Sequence, residues 1–383
     1  MTKTDKESGC WPTLHQELLL QATLKQGKES IDAWKKWQSN VDVDKLDVGS
    51  YRLLPLLYRN LQAQGIKHPL MGRFKGVYRQ TWYKNQILFH KMANLLRDFH
   101  QAGINKNLLL KGTALILFHY KDYGLRPMDD FDVLIPIEQT VKAILLLKKW
   151  HWISPLYSLD NLTQKQISAL MYGMHAWEFK DNTDCKLDLH WHVLQHCLTN
   201  EANNDFWTGA VHTHLVDVPV YALNPTDQLL HVCVHGIDWN PLPPLRWVAD
   251  AMMIFKTAEI DWERLLILAE QHRSVLLLKE TLNYLRHQMD APIPSTVLTE
   301  LQNKPVSKTQ SFQYHVVTNP RSFINALLRV WFKCQYKLSN TGYVGWWHVI
   351  IGFVNYLRQA WNLNYSRQLS FYNVWKSELF NHK

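Results

Sequence analysis

The sequence predicts an α+β protein in which a small mixed sheet is flanked by helical regions on both sides. Three observations lead to this class: helical periodicity up to about residue 102, short apolar runs alternating with helical patterns from 104 to 222, and helical patterns again afterwards. We therefore expect an N-terminal helical region (1–103), a central α/β core (104–222) and a C-terminal helical region (223–383).

Apolar stripes at helical spacing predict the helices of the first region. One stripe runs from Leu53 to Leu61 and ends near Gly65. A second stripe runs from Leu88 to Phe99 and stops at the turn that follows it. Both stripes are interpreted as helices that pack into a core.

The elements of the α/β core are predicted from short apolar runs and from helical periodicity. In chain order they are strand 107–110, helix 114–120, strand 131–135, helix 137–150, strand 175–179 and strand 186–193. The last two strands are expected to pair, because residues 181–184 between them form a turn-rich sequence.

The C-terminal region returns to helical patterns, interrupted by prolines. Helices are predicted over 226–237, 243–257, 261–272, 274–289, 320–338 and 343–360. The polar stretch 302–319 is predicted to be a loop.

Composition limits the classes of function. The 383 residues are 46% hydrophobic, which is enough for a substantial core, and the net charge of +9 favours acidic partners such as nucleotides, nucleic acid or anionic membrane surfaces. The five cysteines are scattered without a CxxC pair, which argues against a disulfide framework or a cysteine zinc site. The N-terminus does not resemble a signal peptide and no 18-residue apolar stretch is present, so we expect a cytoplasmic protein.

Three aspartates predict a metal-dependent site. Asp130 and Asp132 are two residues apart on a predicted strand, so both side chains lie on one face. Two such carboxylates repel each other unless a cation lies between them, and Mg²⁺ prefers carboxylates together with phosphate oxygens. Asp188 lies on a later strand that could run beside this pair. Three acids with two Mg²⁺ ions are what a two-metal phosphoryl or nucleotidyl transfer requires.

A glycine turn precedes these acids. Gly112 and Thr113 follow a predicted strand and begin a helix, where a glycine allows close backbone approach and a helix N-terminus favours phosphate. Lys111 and Arg126 flank the segment and could contact phosphate or balance charge, although a surface or structural role is equally compatible with the sequence.

The order of these motifs resembles the polymerase-beta-like nucleotidyltransferase superfamily, and within it the bacterial "uncharacterised nucleotidyltransferase" family. The matching features are the Lys111-Gly112 turn, Arg126 before the Asp130-Phe131-Asp132 strand, and the sequence Asp-Leu-His-Trp from Asp188 to Trp191. The resemblance covers roughly residues 50 to 255. Thr113 departs from the usual Ser or Gly, and Asp129 adds an acid that should face the opposite side of the strand.

The resemblance implies roles for these residues. Gly112 and Thr113 would hold the triphosphate of an NTP, while Asp130 and Asp132 would bind both metal ions, either Mg²⁺ or Mn²⁺. Asp188 would complete the catalytic metal site and help to deprotonate the acceptor hydroxyl. The expected reaction moves a nucleoside monophosphate from an NTP to a hydroxyl or phosphate of an unknown small-molecule, peptide or protein acceptor. Kinase-type phosphoryl transfer and a non-catalytic binding or regulatory module remain the alternatives.

Histidines near the third acid allow a second metal hypothesis. Asp188, His190 and His192 share one strand face and would also suit zinc. We favour His190 as support for Asp188 or for the acceptor side. His231 and His235 are spaced four residues apart on a predicted helix and are interpreted as core or hydrogen-bonded histidines.

Two further features concern the C-terminal region. Arg246 and Asp250 have the i, i+4 spacing of a structural ion pair. The tail, residues 329–383, is rich in aromatic and basic residues, which is typical of a helix packed on the core, of a peripheral membrane contact or of nucleic-acid binding. Packing on the core or on a partner is the interpretation we favour.

Overall fold

The computed structural model describes residues 11–155, 159, 162–171, 174–195, 200–237, 245–306, 308, 310–312 and 314. Within these residues the chain combines one six-stranded mixed sheet with helices before and after it. The predicted α+β class is therefore confirmed. The predicted tail helices at 320–338 and 343–360 lie outside the described residues, as do the tail's expected membrane and nucleic-acid contacts.

Five helices precede the sheet: α1 (Leu14–Leu24), α2 (Gly27–Asn40), α3 (Val48–Tyr51), α4 (Leu54–Ala63) and α5 (Met71–Gln101). The leucine stripe predicted over 53–61 is confirmed, and α4 buries Leu54, Leu57 and Leu61 completely. Helix α5 is 31 residues long and begins well before the stripe that predicted it. Gly103 follows its end with a positive φ of 79°, a conformation that favours glycine.

The core elements are β1 (Leu108–Leu109), α6 (Lys111–Leu115), β2 (Asp130–Leu134), α7 (Ile137–Lys149), α8 (Gln164–Met171), β3 (Ala176–Lys180), β4 (Lys186–His190), α9 (Asn204–Thr208), β5 (Val211–Leu215) and β6 (Val218–Ala222). Helix α6 continues directly into a π-helical segment, Ile116–Tyr120. All four predicted strands are present, although β4 ends three residues earlier than predicted. The hairpin of β5 and β6 was not predicted, because exposed polar side chains alternate along β5 and leave few apolar residues to mark it.

The strands lie in the order β3-β4-β2-β1-β6-β5. The predicted pairing of the two late strands is confirmed, since β3 and β4 are antiparallel neighbours. Strand β2 runs parallel to β4 on one side and antiparallel to β1 on the other. This arrangement makes the two aspartate-bearing strands direct neighbours.

In the described part of the chain, the helices after the sheet are α10 (Pro225–Gly236), α11 (Arg246–Thr257), α12 (Trp262–Gln271), α13 (Val275–Met289) and α14 (Ser295–Asn303). The first four confirm the helices predicted there. Helix α14 was not predicted, and it begins directly after Pro294. Proline is tolerated at a helix start because its missing N–H needs no partner there.

The helices before and after the sheet share one hydrophobic core. Leu20 and Leu57 from the N-terminal side belong to the same buried cluster as Val248 and Leu285 from the C-terminal side. A second cluster contains one face of the sheet together with α5 and α7. Residues from both ends of the chain therefore support the sheet, and the three-part division of the chain stays a prediction. Among the described helices, none combines the length and the apolar character needed to cross a membrane.

Candidate active site

Strands β2 and β4 place aspartates side by side. Their parallel register pairs Asp132 with Asp188, and Asp130 precedes Asp132 by two residues on the same face. The alternate residues Phe131 and Leu187 are fully buried in the second hydrophobic cluster. Burial of that opposite face fixes the strand register, and a slip of one residue would turn every carboxylate into the core.

Asp132, Asp188 and His190 form a group whose ligand atoms all lie within 4.8 Å of one another. The structure thus brings two of the three predicted aspartates together and adds His190 to them. Asp130 is not part of this group, although its charge still acts on Asp132. The sequence had already placed His190 on the same strand face as Asp188, because it follows Asp188 by two residues.

Lys111 lies at the centre of the carboxylates. Its Nζ donates a hydrogen bond to Oδ1 of Asp132 at 2.6 Å and lies 4.0 Å from Oδ2 of Asp188. The backbone of Lys111 has a positive φ of 43°, which is rare for a residue with a side chain. A strained backbone that holds a cation against buried carboxylates is typical of a functional site.

His190 is hydrogen-bonded to Asp132 rather than to Asp188. The distance between His190 Nε2 and Asp132 Oδ1 is 3.0 Å, and the imidazole is 1% exposed. Lys111 and His190 both engage Oδ1, so Oδ2 of Asp132 accepts no hydrogen bond from the described residues. That oxygen is available to a ligand, while the two hydrogen bonds fix the orientation of the carboxylate.

The carboxylates differ in how easily they ionise. Burial, followed by the charge of Asp132, raises the pKa of Asp188 and of Asp130. Burial acts in the same direction on Asp132, but the charge of Lys111 and the hydrogen bond from His190 hold its pKa well below the usual value. One lysine is therefore shared among one buried and two half-buried acids, and the site is short of positive charge.

Arg126 is an internal ion-pair residue. It is 7% exposed, and its Nε and Nη2 donate to the two carboxylate oxygens of Asp250 at 2.8 Å each. Tyr120 donates a third hydrogen bond to the same carboxylate at 2.8 Å. The ion pair predicted between Arg246 and Asp250 is therefore wrong, because Asp250 is held by Arg126 through a bidentate geometry that a neighbour on the same helix does not reach.

The glycine turn is closely packed. An added Cβ at Gly112 would lie 2.4 Å from Nη1 of Arg126 and 2.9 Å from the sulfur of Met128. Thr113 is completely buried, and its hydroxyl has no hydrogen-bond partner among the described residues. Both residues lie beside Lys111, so the turn sets the position of that lysine. Asp129 lies outside the site, since its exposed carboxylate pairs with Arg52.

Arg246 is a second basic group near the aspartates. Its Nη1 donates to the carbonyl of Pro127 at 3.1 Å, and its charge interacts with that of Asp130. Burial, together with the charges of Arg126 and Arg52, lowers the pKa of Arg246 to about 10. Sequence reasoning missed this role because the i, i+4 spacing suggested a local ion pair instead.

A cleft opens beside Lys111 and His190. Its lining contains four histidines, one lysine, one glutamine and three apolar residues: Lys111, His175, His190, Val193, Leu194, Gln195, His231, Val234 and His235. The cleft encloses about 310 Å³, including the solvent at its mouth. His231 is buried, as the sequence interpretation expected, whereas His235 is exposed, and both residues line this cleft.

The zinc hypothesis with His192 does not match the structure. Strand β4 ends at His190, and His192 lies beside Asn203, with 3.4 Å between Nδ1 and the amide nitrogen. His192 is absent from the group formed by Asp132, Asp188 and His190 among the described residues. Two adjacent carboxylates, with Oδ2 of Asp132 accepting no hydrogen bond from the described residues and with a deficit of positive charge, suit a hard divalent cation. The residues present therefore fit a magnesium or manganese ion.

A small mixed sheet with carboxylates on two adjacent strands, flanked by helices, is the core of a nucleotidyltransferase-type enzyme. The sequence matches the family described as "Uncharacterised nucleotidyltransferase" over residues 49–290, more than half of the chain. The chain therefore belongs to this nucleotidyltransferase family and is a transferase. No curated protein and no solved structure matches it. The family resemblance predicted from the motifs is confirmed.

Proposed function

We propose that this protein transfers a nucleoside monophosphate from an NTP to a hydroxyl or phosphate of an acceptor, in a reaction that depends on Mg²⁺ or Mn²⁺ and releases pyrophosphate. The observation that supports it most is the parallel pairing of Asp132 with Asp188, with Asp130 on the same face. The acceptor is a small molecule, a peptide or a protein. A cytoplasmic location belongs to the same proposal, because NTPs are abundant there.

Asp130, Asp132 and Asp188 would hold the metal ions. When bound, they would neutralise charge on the phosphates and lower the pKa of the attacking hydroxyl. Lys111 and His190 orient Asp132 through its Oδ1 and leave Oδ2 facing the metal site. Within the described chain, Asp188 is not held by two hydrogen-bond donors in this way. We assign it the role of accepting the proton from the acceptor hydroxyl.

The residues that we assign to the nucleotide differ at one position from those expected from the sequence. Arg126 is buried, and its Nε and Nη2 donate to Asp250, so we assign the triphosphate contact to Arg246 together with Lys111. Among the described residues, Arg246 donates one hydrogen bond, to a backbone carbonyl, and its other guanidinium donors are assigned to phosphate oxygens. Gly112 and Thr113 would support the triphosphate by shaping the turn that carries Lys111.

Replacement of Arg246 by Gln should weaken NTP binding by about tenfold or more, because charge-assisted hydrogen bonds to phosphate contribute about 1.5–3 kcal/mol. Isothermal titration calorimetry with a non-hydrolysable NTP and Mg²⁺ measures this effect. Arg79→Gln, at an exposed position of α5, is the matched control and should bind as the wild type does. Equal affinity in both variants would remove Arg246 from the nucleotide site.

The class of reaction can be tested by following which phosphate of the NTP is transferred to the product. The protein is incubated with a cell extract and Mg²⁺, and with an NTP labelled on either the α- or the γ-phosphate. We expect the α-label in the product, release of pyrophosphate and loss of both with a chelator. A γ-labelled product would identify phosphoryl transfer on the same fold, and the absence of metal-dependent turnover with either label would favour a non-catalytic module. Any role of the tail at a membrane or on nucleic acid concerns residues outside the described part of the chain.

A further inference from the structure

The cleft beside Lys111 is lined by both imidazole and apolar side chains. Imidazoles from His175, His190, His231 and His235 are combined with apolar side chains on the same lining. Among the described residues of this lining, Lys111 is the only lysine, arginine, aspartate or glutamate, and its Nζ is already bound to Asp132 at 2.6 Å. Desolvation lowers the pKa of His190, His231 and His235, so these three imidazoles offer polar but uncharged groups next to the aspartates.

His231 supplies the most specific of these groups. It is 5% exposed, and its ring stacks on that of His235 with 6.0 Å between centroids. No hydrogen bond from the described residues engages its nitrogens. A ligand hydroxyl in the cleft would give these nitrogens a hydrogen-bond partner. Burial also lowers the pKa of His231 well below its usual value, so the ring is neutral and can both donate and accept.

Charge distinguishes two kinds of acceptor. The three carboxylates outnumber the one lysine beside them, so these four residues carry a net negative charge. The positive charge of two divalent ions and the negative charge of a bound NTP largely cancel each other, so binding both leaves this balance unchanged. A phosphorylated acceptor would bring further negative charge into a cleft whose cation is already paired. A hydroxyl group needs a donor and an acceptor without a charge, which is what neutral imidazole provides.

We propose that this cleft is the acceptor subsite and that it binds a small uncharged molecule through hydroxyl groups, with His231 as a principal hydrogen-bond partner. The inference rests on the proposed nucleotidyl transfer and specifies its acceptor. The cleft adjoins Lys111 and His190, so a hydroxyl held there lies next to the carboxylate pair. Arg246 is not among the described residues of the lining, whereas Lys111 is, so Lys111 lies between the acceptor side and the triphosphate side.

The transfer step balances on these residues. The acceptor oxygen forms a bond to the α-phosphorus, and the bond from that phosphorus to the bridging oxygen of the leaving group breaks. The hydroxyl proton passes to the Asp188 carboxylate, and pyrophosphate leaves with the bonding electrons.

The test uses the full-length protein, Mg²⁺, an α-labelled NTP and a small-molecule cell extract divided on an anion exchanger into unretained and retained fractions. The unretained fraction should contain the molecule that receives the label. In His231→Leu, half-maximal transfer should need about tenfold more of that fraction, because a buried hydrogen bond to the acceptor is lost. His231→Gln keeps a side-chain donor and acceptor and should recover much of this loss. NTP affinity should be unchanged in both variants, which separates loss of the subsite from misfolding.

His214→Leu is the matched control, since His214 is exposed on β5 and does not line the cleft. Label in the retained fraction alone would overturn the uncharged acceptor. Equal transfer by His231→Leu and His214→Leu would overturn the assignment of the cleft. If the undivided extract supports no metal-dependent turnover by the wild type, the proposed function itself fails, and the acceptor assignment fails with it.

Discussion

Replacement of Asp188 by Asn should reduce nucleotidyl transfer by about 10²–10⁴-fold, the usual contribution of a general base, and by more if a metal ligand is lost as well. Asn has the shape of Asp but neither accepts a proton nor balances the charge of a cation. NTP affinity should fall much less than the rate, because Asp130, Asp132, Lys111 and Arg246 remain. Single-turnover transfer of an α-labelled NTP, measured beside calorimetric NTP binding, separates the two effects.

The same substitution should leave the fold intact or stabilise it slightly in the absence of metal. Burial and the charge of Asp132 make ionised Asp188 unfavourable, and Asn removes that unfavourable charge. Thermal unfolding in the presence of a chelator measures this. Asp129→Asn is the matched control, because Asp129 is adjacent in sequence to Asp130 but is exposed and pairs with Arg52. Near wild-type transfer by Asp188→Asn would show that Asp188 is not the residue that accepts the proton of the acceptor hydroxyl.

That Asp130 and Asp132 lie on one face of a strand could be predicted from the sequence for a physical reason. Alternation along a strand depends only on local spacing, so Asp130 and Asp132 had to share a face once Phe131 was buried. The exact pairing of Asp132 with Asp188 was not accessible, because it depends on the parallel register of strands that are 56 residues apart at these positions. The motif order supplied the expectation that the strands meet, and the sheet order bears it out.

Contacts between distant segments account for what the sequence did not predict. Arg126 and Asp250 are separated by 124 positions, and no local pattern connects them. Arg246 is four residues from Asp250 and therefore attracted the ion-pair prediction that the structure overturns. The cleft likewise collects residues from the turn at Lys111, from the start of β3, from the end of β4 and from α10, four segments that the chain brings together only on folding.

Such distant contacts also explain why four strands were predicted from the sequence, whereas the sheet contains six. Strand β6 is recognisable from its buried alternate residues only when its parallel neighbour β1 is known. Strand β1 itself has only two residues, yet it joins the two halves of the sheet by pairing with β2 on one side and β6 on the other. The short central strand is fully buried, so its stability comes from the packing around it rather than from its length.

Loss of one partner of the Arg126–Asp250 pair should be the most destabilising change near the site. Asp250 accepts two hydrogen bonds from Arg126 and one from Tyr120, and both charged side chains are less than a tenth exposed. Asp250→Ala would leave the arginine charge buried without a partner, which typically costs about 3–5 kcal/mol. Denaturant unfolding monitored by tryptophan fluorescence gives the free energy of unfolding directly.

The double variant Arg126→Met with Asp250→Leu should recover most of that loss, because replacing both charges by apolar groups removes the unpaired charge. The pair Arg97–Asp217 is the matched control: it has a similar N–O distance of 2.7 Å, but its side chains are 42% and 66% exposed, so Asp217→Ala should change stability little. Arg126 also packs against Gly112, so the double variant should fold well and still transfer poorly, since Lys111 loses its support. If Asp250→Ala were no more destabilising than Asp217→Ala, the buried pair would not be what holds helix α11 against the glycine turn.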